Sequence, residues 1–345
     1  MTDTLRVGVI GAGGNTRRHH IPKLQAIAGV EVVAVSNRSP ASGERVAADF
    51  GIATVHDHWW DLIADSSLDA IVIGTWPDMH ARLTVAALEA GKHVLCEARL
   101  ARDVAEARTM ISSSQANPHL VAQVVPAPYT LPFDATISRL LSDRTIGDLV
   151  SVEVEERSGF ADPTAPVTWR QRTDISGVNV MSLGIHYEAV LRWLGEATRV
   201  SAFASTSVRR RPDASDGGTL RTVDVPDHVD VTGELACGAQ LRIMISQSTA
   251  LGPKNAIHLY GAEGTIRLAD GVLAVGHRGD TELTPVDIPA EQAIGWRVEE
   301  EFVGAIRGTE PVRRTTFDDG LRYLRFTEAV HRSIHERRQV TLSEL

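Results

Sequence analysis

The sequence predicts an α/β protein with two domains. Residues 1–125 are expected to form a doubly wound parallel sheet, and residues 126–345 an α+β domain with a large, mostly antiparallel sheet. Strand-like and helix-like segments alternate in the first part, and a glycine-rich turn joins its first strand to its first helix. Long alternating runs separated by hairpin turns dominate the second part. We expect the last helices to pack back on the first domain.

The first domain contains short apolar runs that are typical of strands buried on both faces. Helix-like runs separate them, and Pro22 should kink or restart the first helix because it lacks a backbone N–H. Ser39, Pro40 and Gly51 are start and stop signals of the second helix. The expected strands are "RVGVI" at 6–10, "VEVVAVSNR" at 30–38, "LDAIVIGT" at 68–75, "KHVLCE" at 92–97 and "LVAQVV" at 120–125.

In the second domain, residues alternate between apolar and polar types along much longer runs, which is typical of antiparallel strands with one solvated face. The runs are "LVSVEVEER" at 149–157, "RVSAFASTSV" at 199–208, 230–249 and 255–276. Helical segments are expected around 177–194, over 291–308 and over 317–338.

Composition excludes several classes of protein. The chain has 345 residues, 43% hydrophobic and 23% charged, and a net charge of −9, which argues against nucleic-acid binding. Arg209-Arg210-Arg211 is followed by acids and is interpreted as a solvated loop. No apolar run reaches the ~18 residues of a membrane span, and no signal peptide precedes the first strand, so we expect a cytoplasmic protein without a membrane partner. Cys96 and Cys237 lie in apolar segments where buried thiols are common.

The turn after the first strand reads Gly11-Ala12-Gly13-Gly14-Asn15-Thr16. Gly11 permits the tight turn, and Gly13 lets backbone amides approach a pyrophosphate at the start of the helix. Thr16 takes the position where glycine or alanine would pack closer, so we expect the helix to lie slightly farther from the strand. We expect Gly11, Gly13, Gly14, Asn15 and Thr16 to bind a dinucleotide.

The end of the second strand bears on the choice between NAD and NADP. An acid usually binds the ribose 2′-hydroxyl of NAD there, but this chain has Ser36, Asn37 and Arg38. Arg38 could pair with a 2′-phosphate, and no carboxylate would repel it. These residues favour NADP over NAD, although Arg38 could equally stack on the adenine.

With these features, the chain resembles the Gfo/Idh/MocA family of oxidoreductases nearly end to end. The resemblance is carried by "GAGGNTRRHHIPKL", "GTWPDMH", "AALEAGKHVLCE", "IGDLVSVEV", "VTWRQ", "GIHYEA" and "YGAEGTIRL". It implies an N-terminal Rossmann domain, a C-terminal domain with a large sheet, and homodimers or homotetramers formed through that sheet. It also implies hydride transfer between NAD or NADP and a hydroxyl carbon of a sugar or polyol.

The resemblance implies roles for individual residues beside the cofactor. Thr75, Trp76, Pro77 and His80 match a segment that lines the cofactor, at the carboxyl end of a strand where such ligands bind. Glu97 matches an acid that holds the cofactor near its ribose or nicotinamide.

The sequence departs from the family pattern at two catalytic positions. The family has Glu-Lys-Pro where this chain has Glu97, Ala98 and Arg99, and the lysine bonds the reacting hydroxyl. Arg99 is expected to contact substrate. It does not simply replace the lysine, because successive side chains of an extended segment point to opposite sides and an arginine stays protonated and is a poor general base. The family also has an aspartate four residues before a histidine. Here His186 is retained as the expected proton shuttle, but Ser182 replaces the acid and cannot balance an imidazolium charge.

Several other residues are candidates for the missing functions. Tyr129 lies in a loop that the resemblance places near the substrate, and Tyr187 and Glu188 adjoin His186. Trp169 and Arg170 match a substrate-side motif, in which Arg170 could hold a hydroxyl or an anionic group, and Ser182 could hydrogen-bond a sugar. The histidines show no metal-ligand spacing, so no metal is expected.

Three functions fit these residues. The first is an NAD(P)-dependent oxidoreductase acting on a sugar or polyol, with His186 relaying the proton because the lysine is missing. The second is a redox-neutral glycosidase or lyase that oxidises its sugar transiently. The third is a non-catalytic regulatory protein that responds to NAD(P).

Overall fold

The structure is a computed structural model that describes residues 4–252 and 254–345. The chain divides into two compact units. The first comprises Met1–Pro126 and Arg297–Leu321, and the second comprises Ala127–Trp296 and Arg322–Leu345. The segment Arg297–Leu321 therefore belongs to the first unit although it follows most of the second in sequence. Within the described ranges, every helix is too short or too polar to cross a membrane.

The first unit is built on a parallel sheet of six strands in the order β3-β2-β1-β4-β5-β6. The strands are β1 (Leu5–Ile10), β2 (Val30–Ser36), β3 (Thr54–His56), β4 (Ala70–Ile73), β5 (His93–Cys96) and β6 (Ala122–Val124). The helices between them are α1 (Ile21–Ala26), α2 (Pro40–Phe50), α3 (Trp59–Ala64), α4 (Pro77–Glu89) and α5 (Val104–Ala116). The strand order reverses between β1 and β4, and this reversal makes the sheet doubly wound, as predicted. Val7, Val9, Ile71 and Val94 are fully buried, as expected of strands covered on both faces.

The first helical region has an unusual start. A π-helical segment, Thr16–His20, runs directly into α1, whose second residue is Pro22. Pro22 has no N–H to donate to the preceding turn, which agrees with the predicted restart of the helix at this point. The wider π-helical turn places His20 in the interior, where its side chain has no exposed surface.

The second unit is built on a sheet of nine strands in the order β16-β15-β14-β13-β7-β12-β11-β8-β17. Its elements in chain order begin with α6 (Asp134–Ser142), β7 (Leu149–Arg157), α7 (Thr173–Ser176), α8 (Leu183–Leu194), β8 (Ala197–Ser205), β9 (Arg210–Asp213), β10 (Thr219–Thr222), β11 (His228–Leu235) and β12 (Gln240–Ser246). They continue with β13 (Asn255–Gly261), β14 (Gly264–Ala269), β15 (Val272–His277) and β16 (Thr284–Pro285). After α9 (Val298–Ile306) of the first unit come α10 (Phe317–Glu336) and β17 (Val340–Thr341).

Pairing in this larger sheet is mostly antiparallel, as predicted. β7 and β12 pair in parallel, whereas the other neighbouring strands along the described sheet run antiparallel. Helices α8 and α10 contact each other through Tyr187 and Phe326, whose rings stack 3.6 Å apart. The Tyr187 oxygen accepts a hydrogen bond from the backbone N–H of Ala197. Tyr187 is therefore a core residue, and it does not replace a catalytic group.

Several local predictions were wrong. Arg210 and Arg211 begin the strand β9, which pairs with β10, and Arg211 is only 6% exposed. Its guanidinium donates to the carbonyl oxygens of Asp162 and Ala165, so Arg211 is not solvated, whereas Arg209 and Arg210 are exposed as predicted. Cys237 is exposed in the turn between β11 and β12, whereas Cys96 is buried as expected.

Two predicted helices are shorter in the structure, and the short strand β3 was missed. Helix α8 begins only at Leu183, because Met181 has a φ of 46° and interrupts a helix starting at 177. Helix α9 begins only at Val298, although helix was expected from 291. The strand Thr54–His56 has three residues, too few for a periodic pattern to show in the sequence.

Candidate active site

The glycine turn after β1 borders open space. Gly11 has a φ of 83°, and a Cβ there would lie 2.7 Å from the side chain of Thr75, so only glycine fits. A Cβ on Gly13 would meet only the carbonyl oxygen of Gly74, at 3.7 Å, and one on Gly14 would meet no atom within 4 Å. Backbone amides of a turn with such free space can approach a pyrophosphate closely.

Thr16 packs against the next strand end through a second glycine. Thr16 is 1% exposed, and its hydroxyl donates to the carbonyl oxygen of Gly11 at 3.3 Å. A Cβ on Gly74 would lie 2.1 Å from this hydroxyl oxygen and 2.2 Å from the Gly11 oxygen. Gly74 therefore provides the space that a glycine at position 16 provides in the usual motif. The sequence interpretation missed this role of Gly74. The signal for it was a glycine directly between strand β4 and Thr75.

Thr75 and Trp76 follow β4 at the same edge of the sheet. The Thr75 hydroxyl oxygen is buried and has no hydrogen-bond partner within the described part of the chain. A buried polar atom of this kind needs a partner, and a bound ligand can supply one. Trp76 is 40% exposed, and the guanidinium of Arg38 lies 6.0 Å from its ring centre. These two side chains form an exposed cation–π pair beside the end of β2.

The other predicted cofactor residues are less accessible. Ser36 is 2% exposed, and the side-chain amide of Asn37 donates to the carbonyl oxygen of Ser42 at 3.5 Å. Pro77 is buried as the first residue of α4. His80 has no exposed surface, and its ring nitrogens lie 3.1 Å from the Thr75 oxygen and 2.9 Å from the Arg99 oxygen. Because burial lowers the pKa of His80, we infer a neutral ring that fixes the backbone of the Thr75 segment.

Glu97, which follows β5, is held in a cluster with the buried His20 and Glu299 and with the exposed Asn15. The His20 Nε2 lies 3.0 Å from Glu97 Oε1, and its Nδ1 lies 2.6 Å from Glu299 Oε1. The Asn15 amide donates to the same Glu97 oxygen, and the Ala98 N–H donates to the other at 3.1 Å. Glu97 and Asn15 were predicted at this site, whereas His20 and Glu299 were not.

Opposite charges control protonation in this cluster. Burial by itself lowers the pKa of His20, but hydrogen bonds and attraction from Glu299 and Glu97 outweigh it and raise the pKa to about 9. Burial likewise raises the pKa of Glu97, but the hydrogen bond and charge of His20 outweigh it and hold that pKa below its ordinary value. At neutral pH the cluster therefore holds an imidazolium between two carboxyl groups.

Arg99, expected at the substrate, is only 2% exposed. A nearly buried guanidinium offers little surface to a sugar. Ala98 is partly exposed, and its methyl group can neither donate nor accept a hydrogen bond. The chain thus presents no proton-transfer group at the position of the family lysine.

The second unit contains a separate polar cluster around His186. This residue lies on α8 and is 3% exposed. Its Nε2 lies 2.6 Å from Glu156 Oε2, near the end of β7. The Ser182 hydroxyl donates to the same carboxylate oxygen. Tyr129 is 50% exposed, and its ring stacks on the His186 ring at 5.4 Å. The predicted residues Tyr129, Ser182 and His186 therefore lie together, and the last two bond the same acid.

Glu156 is the residue that the sequence interpretation missed. In "LVSVEVEER", Val152 and Val154 are buried, and Glu156 follows in the same alternating phase. Successive strand residues point to opposite faces, so this phase predicts an acid on the apolar face of the sheet. Glu156 supplies the negative charge that Ser182 lacks, and the serine hydrogen-bonds this acid.

The remaining candidates have other surroundings. Trp169 and Arg170 form a 3₁₀ turn, in which the guanidinium of Arg170 lies 4.2 Å from the Trp169 ring centre. Arg170 is exposed. Glu188 is 2% exposed and bonds Arg192 and the Ala127 N–H, so it stabilises the unit rather than serving His186. Among the residues that the structure describes, no group of His, Cys, Asp and Glu is suited to a metal ion.

Comparison with known proteins is consistent with this geometry. Residues 5–124 match a family described as "Oxidoreductase family, NAD-binding Rossmann fold", and residues 135–267 match the GFO/IDH/MocA C-terminal domain. The levoglucosan dehydrogenase of Pseudarthrobacter phenanthrenivorans is 29% identical over 287 residues, which cover 76% of this chain and 73% of that protein. Inositol 2-dehydrogenase 1 of Saccharopolyspora erythraea is 30% identical over 286 residues, which cover 77% and 80%.

A solved structure of levoglucosan dehydrogenase in complex with NADH and L-sorbose has the same fold. Its TM-score is 0.85 at 23% identity, and the match covers 98% of both chains. The glycine turn on a doubly wound sheet, followed by a unit with a large mixed sheet, defines a class of nucleotide-dependent oxidoreductases. Within that class, this chain belongs to the Gfo/Idh/MocA family, so the family and the fold class predicted from sequence are confirmed.

Proposed function

We propose that this protein transfers a hydride between a nicotinamide cofactor and a hydroxyl or keto carbon of a sugar or polyol. His186 is the proton relay, and Glu156 is its charge partner. The contact of 2.6 Å between His186 Nε2 and Glu156 Oε2 carries the proposal. It gives the retained histidine the carboxylate that the family pattern led us to expect at position 182. The names of the relatives, which include dehydrogenases of levoglucosan and inositol, support this substrate class.

The first unit offers a fitting place for the dinucleotide. The open space over Gly13 and Gly14 suits the pyrophosphate, and the partnerless hydroxyl of Thr75 can bond a ribose or phosphate oxygen. Glu97 would accept a hydrogen bond from a ribose hydroxyl or the nicotinamide amide. When bound, the nicotinamide supplies or accepts the hydride.

The residues of the second unit move the proton. When a sugar hydroxyl is oxidised, its proton passes to the His186 imidazole, and the reverse reaction returns it. The nearby Glu156 carboxylate stabilises the imidazolium, as an acid beside a catalytic histidine does in other enzymes. Ser182 fixes the carboxylate, and the stacked ring of Tyr129 restricts the imidazole to one orientation. This relay replaces the missing lysine at position 98.

We propose that Trp169, Arg170 and Tyr129 contact the substrate. Trp169 offers a flat face to a sugar ring, and the exposed guanidinium of Arg170 offers donors to hydroxyl or carboxylate oxygens. Tyr129 offers a phenolic hydroxyl that can donate or accept.

The test is turnover with NAD and NADP on a panel of aldoses, 1,6-anhydro sugars, inositols and aryl glycosides. Reduced cofactor that accumulates at 340 nm with at least one sugar or polyol supports the proposal. Cleavage of a glycoside without net reduction would replace it with the redox-neutral reaction, which the alanine at position 98 makes the relevant alternative. Nucleotide binding with neither reaction would point to the regulatory function.

We further propose that NADP is preferred to NAD. No acid lies at Ser36, Asn37 or Arg38 to repel a 2′-phosphate, and Arg38 stands exposed beside Trp76. Arg38→Ala should weaken NADPH binding about tenfold, by loss of one charge-assisted contact, and change NADH binding little. Equal weakening for both nucleotides would mean that Arg38 stacks on the adenine and does not select the phosphate.

We also propose that the protein is a homodimer or homotetramer formed through the large sheet. Phe203 on β8 is 81% exposed and lies on the face opposite the buried Val200 and Ala202. Aromatic side chains are enriched in protein–protein interfaces, so we expect Phe203 to lie in this one. Light scattering in solution tests the proposal, and a monomer at micromolar concentration would contradict it.

A further inference from the structure

We propose that His20 is a positioning residue for cofactor binding: together with Glu299 it holds the Glu97 carboxylate in place, and its charge sets the alkaline limit of nucleotide affinity. The inference rests on the proposed function in that Glu97 is taken to bind the cofactor. It assigns roles to two residues, His20 and Glu299, that lie behind Glu97.

Geometry distinguishes this cluster from a chance ion pair. The His20 ring bonds one carboxylate through each nitrogen, at 3.0 Å to Glu97 and 2.6 Å to Glu299, and the His20 and Glu299 side chains have no exposed surface. Glu97 retains a side-chain exposure of 13%. One end of the chain of contacts is therefore buried, and the other reaches the surface beside the glycine turn.

The three groups come from three different elements of the first unit. His20 ends the π-helical segment, Glu97 follows β5, and Glu299 lies in the first turn of α9. Short π-helical segments inside helices are frequent at functional sites, because the wider turn redirects a side chain. Here that segment connects the dinucleotide turn at Gly13 to Glu97, since Asn15 also bonds the Glu97 carboxylate.

A buried imidazolium can only persist while the carboxylates compensate its charge. Neutral His20 would have one N–H and one lone pair, so one of the two carboxylates would lose its donor and face the lone pair instead. We expect Glu97 then to shift away from its bonded position. Nucleotide affinity should fall as His20 loses its proton.

Among the groups around the cluster, His20 is the one that we expect to change its charge between pH 8 and about pH 9. Its pKa is raised to about 9 by Glu299 and Glu97. His80, on α4, feels the charge of Glu97 but has a pKa lowered by burial, so it is neutral there. Cys96, before Glu97, has a pKa raised by burial well beyond this range and also remains neutral. Asn15 does not titrate.

The experiment measures the dissociation constant of NADH, by its fluorescence, from pH 6 to 10 for the wild type and three variants. The wild type should bind with constant affinity to about pH 8 and about tenfold more weakly above pH 9, the loss expected for one charge-assisted hydrogen bond. His20→Gln should bind about tenfold more weakly at pH 7 and show no alkaline limb. His19→Gln, the same change one residue earlier, should match the wild type.

Glu299→Gln is the decisive variant, because it keeps an acceptor for His20 and removes only a charge. The alkaline limb should move to lower pH by about one unit or more, with affinity at pH 6 unchanged. A purely structural role would alter thermal stability but leave this limb in place. If His20→Gln does not fold, as judged by circular dichroism, Glu299→Gln alone decides.

The outcomes separate this inference from the proposed function. A flat wild-type profile, or a Glu299→Gln profile that equals the wild type, overturns the inference. The expected profiles without turnover of any sugar or polyol support the inference and overturn the proposed function. Failure of the wild type to bind NADH or NADPH overturns both.

Discussion

Ala98 has no group that can exchange a proton with a substrate hydroxyl. The family resemblance implies a lysine there, whose ammonium bonds the reacting oxygen. In the proposed mechanism, proton transfer falls to His186, which lies 2.6 Å from the Glu156 carboxylate. The proposal gives the imidazole the proton transfer and gives the carboxylate the compensation of the charge that the imidazole gains.

Restoring the lysine tests how far the pocket has changed. Ala98→Lys should raise kcat/KM for sugar oxidation about tenfold or more, since a second proton-transfer group and a donor to the hydroxyl are added. Steady-state rates at 340 nm measure the effect. Ala98→Met is the control, because it adds similar length without the amine, and it should not raise the rate. No gain from lysine would mean that the pocket around residue 98 has been rebuilt more widely.

Sequence reasoning proposed His186, Ser182 and Tyr129 for one site but missed Glu156, which bonds the first two. Glu156 lies 26 residues before Ser182 and 30 before His186, so no local spacing connects them. The only sequence signal was that Glu156 falls at every second position after the buried Val152 and Val154, which places it on the apolar face of β7. The histidine between Glu97 and Glu299 was equally hidden, because Glu299 follows His20 by 279 residues.

The element that binds the nucleotide depends on close packing between the glycine turn and the end of β4. Thr16 replaces the small residue of the usual motif, and Gly74 opposite it makes the space. The sequence interpretation expected Thr16 to hold the helix farther from the strand. The structure shows a buried Thr16 whose hydroxyl bonds Gly11, and Gly74 in the facing segment leaves the space for it.

A methyl group at residue 74 should break this packing. Gly74→Ala puts a Cβ within 2.2 Å of the Thr16 hydroxyl and the Gly11 oxygen, and overpacking of this kind costs about 1–3 kcal/mol or more. We expect a lower free energy of unfolding in urea and weaker NADH binding. Gly14→Ala is the matched control for stability, since its methyl group meets no atom within 4 Å. Equal stability of Gly74→Ala and the wild type would show that this packing is not tight.

Element boundaries were predictable where several signals coincide. Ser39, Pro40 and Gly51 mark helix α2 correctly, because cap and stop chemistry is local. The start of α8 was not predictable, since the positive φ of Met181 is imposed by its surroundings rather than by its residue type. The hairpin of β9 and β10 was missed for a similar reason. Its buried Arg211 depends on carbonyl groups of a loop that lies 46–49 residues away.

For the whole molecule, the alternation of apolar runs and helices was enough to predict the doubly wound sheet, and the longer alternating runs predicted the antiparallel one. These patterns follow from burial on both faces or on one face, which needs no knowledge of pairing. Which strands pair with each other could not be predicted from the sequence, and β7 is an example. It lies at the centre of the larger sheet, parallel to β12 and antiparallel to β13, although more than 80 residues separate it from either strand.

Global stability should depend on pH through the buried His20. Its pKa is raised from 6.5 to about 9, so the stabilisation is fully present below pH 6.5 and is lost as the pH rises through 9. The loss amounts to roughly 3 kcal/mol at most, at 1.36 kcal/mol for each pKa unit. Urea midpoints measured at pH 6.5, 8 and 10 should fall for the wild type. In His20→Gln they should change less, and an equal decline in both would assign the effect to other groups.

The most direct test of the relay proposed for His186 is the kcat of Glu156→Gln on the sugar or polyol that the wild type turns over best. The amide keeps the shape of the side chain but removes the charge that stabilises imidazolium, so kcat should fall about 100-fold while the NADH dissociation constant stays unchanged. Glu153→Gln, on the same strand but the opposite face, should retain wild-type kcat. If Glu156→Gln turns over as fast as Glu153→Gln, the pair of Glu156 and His186 is not the proton relay.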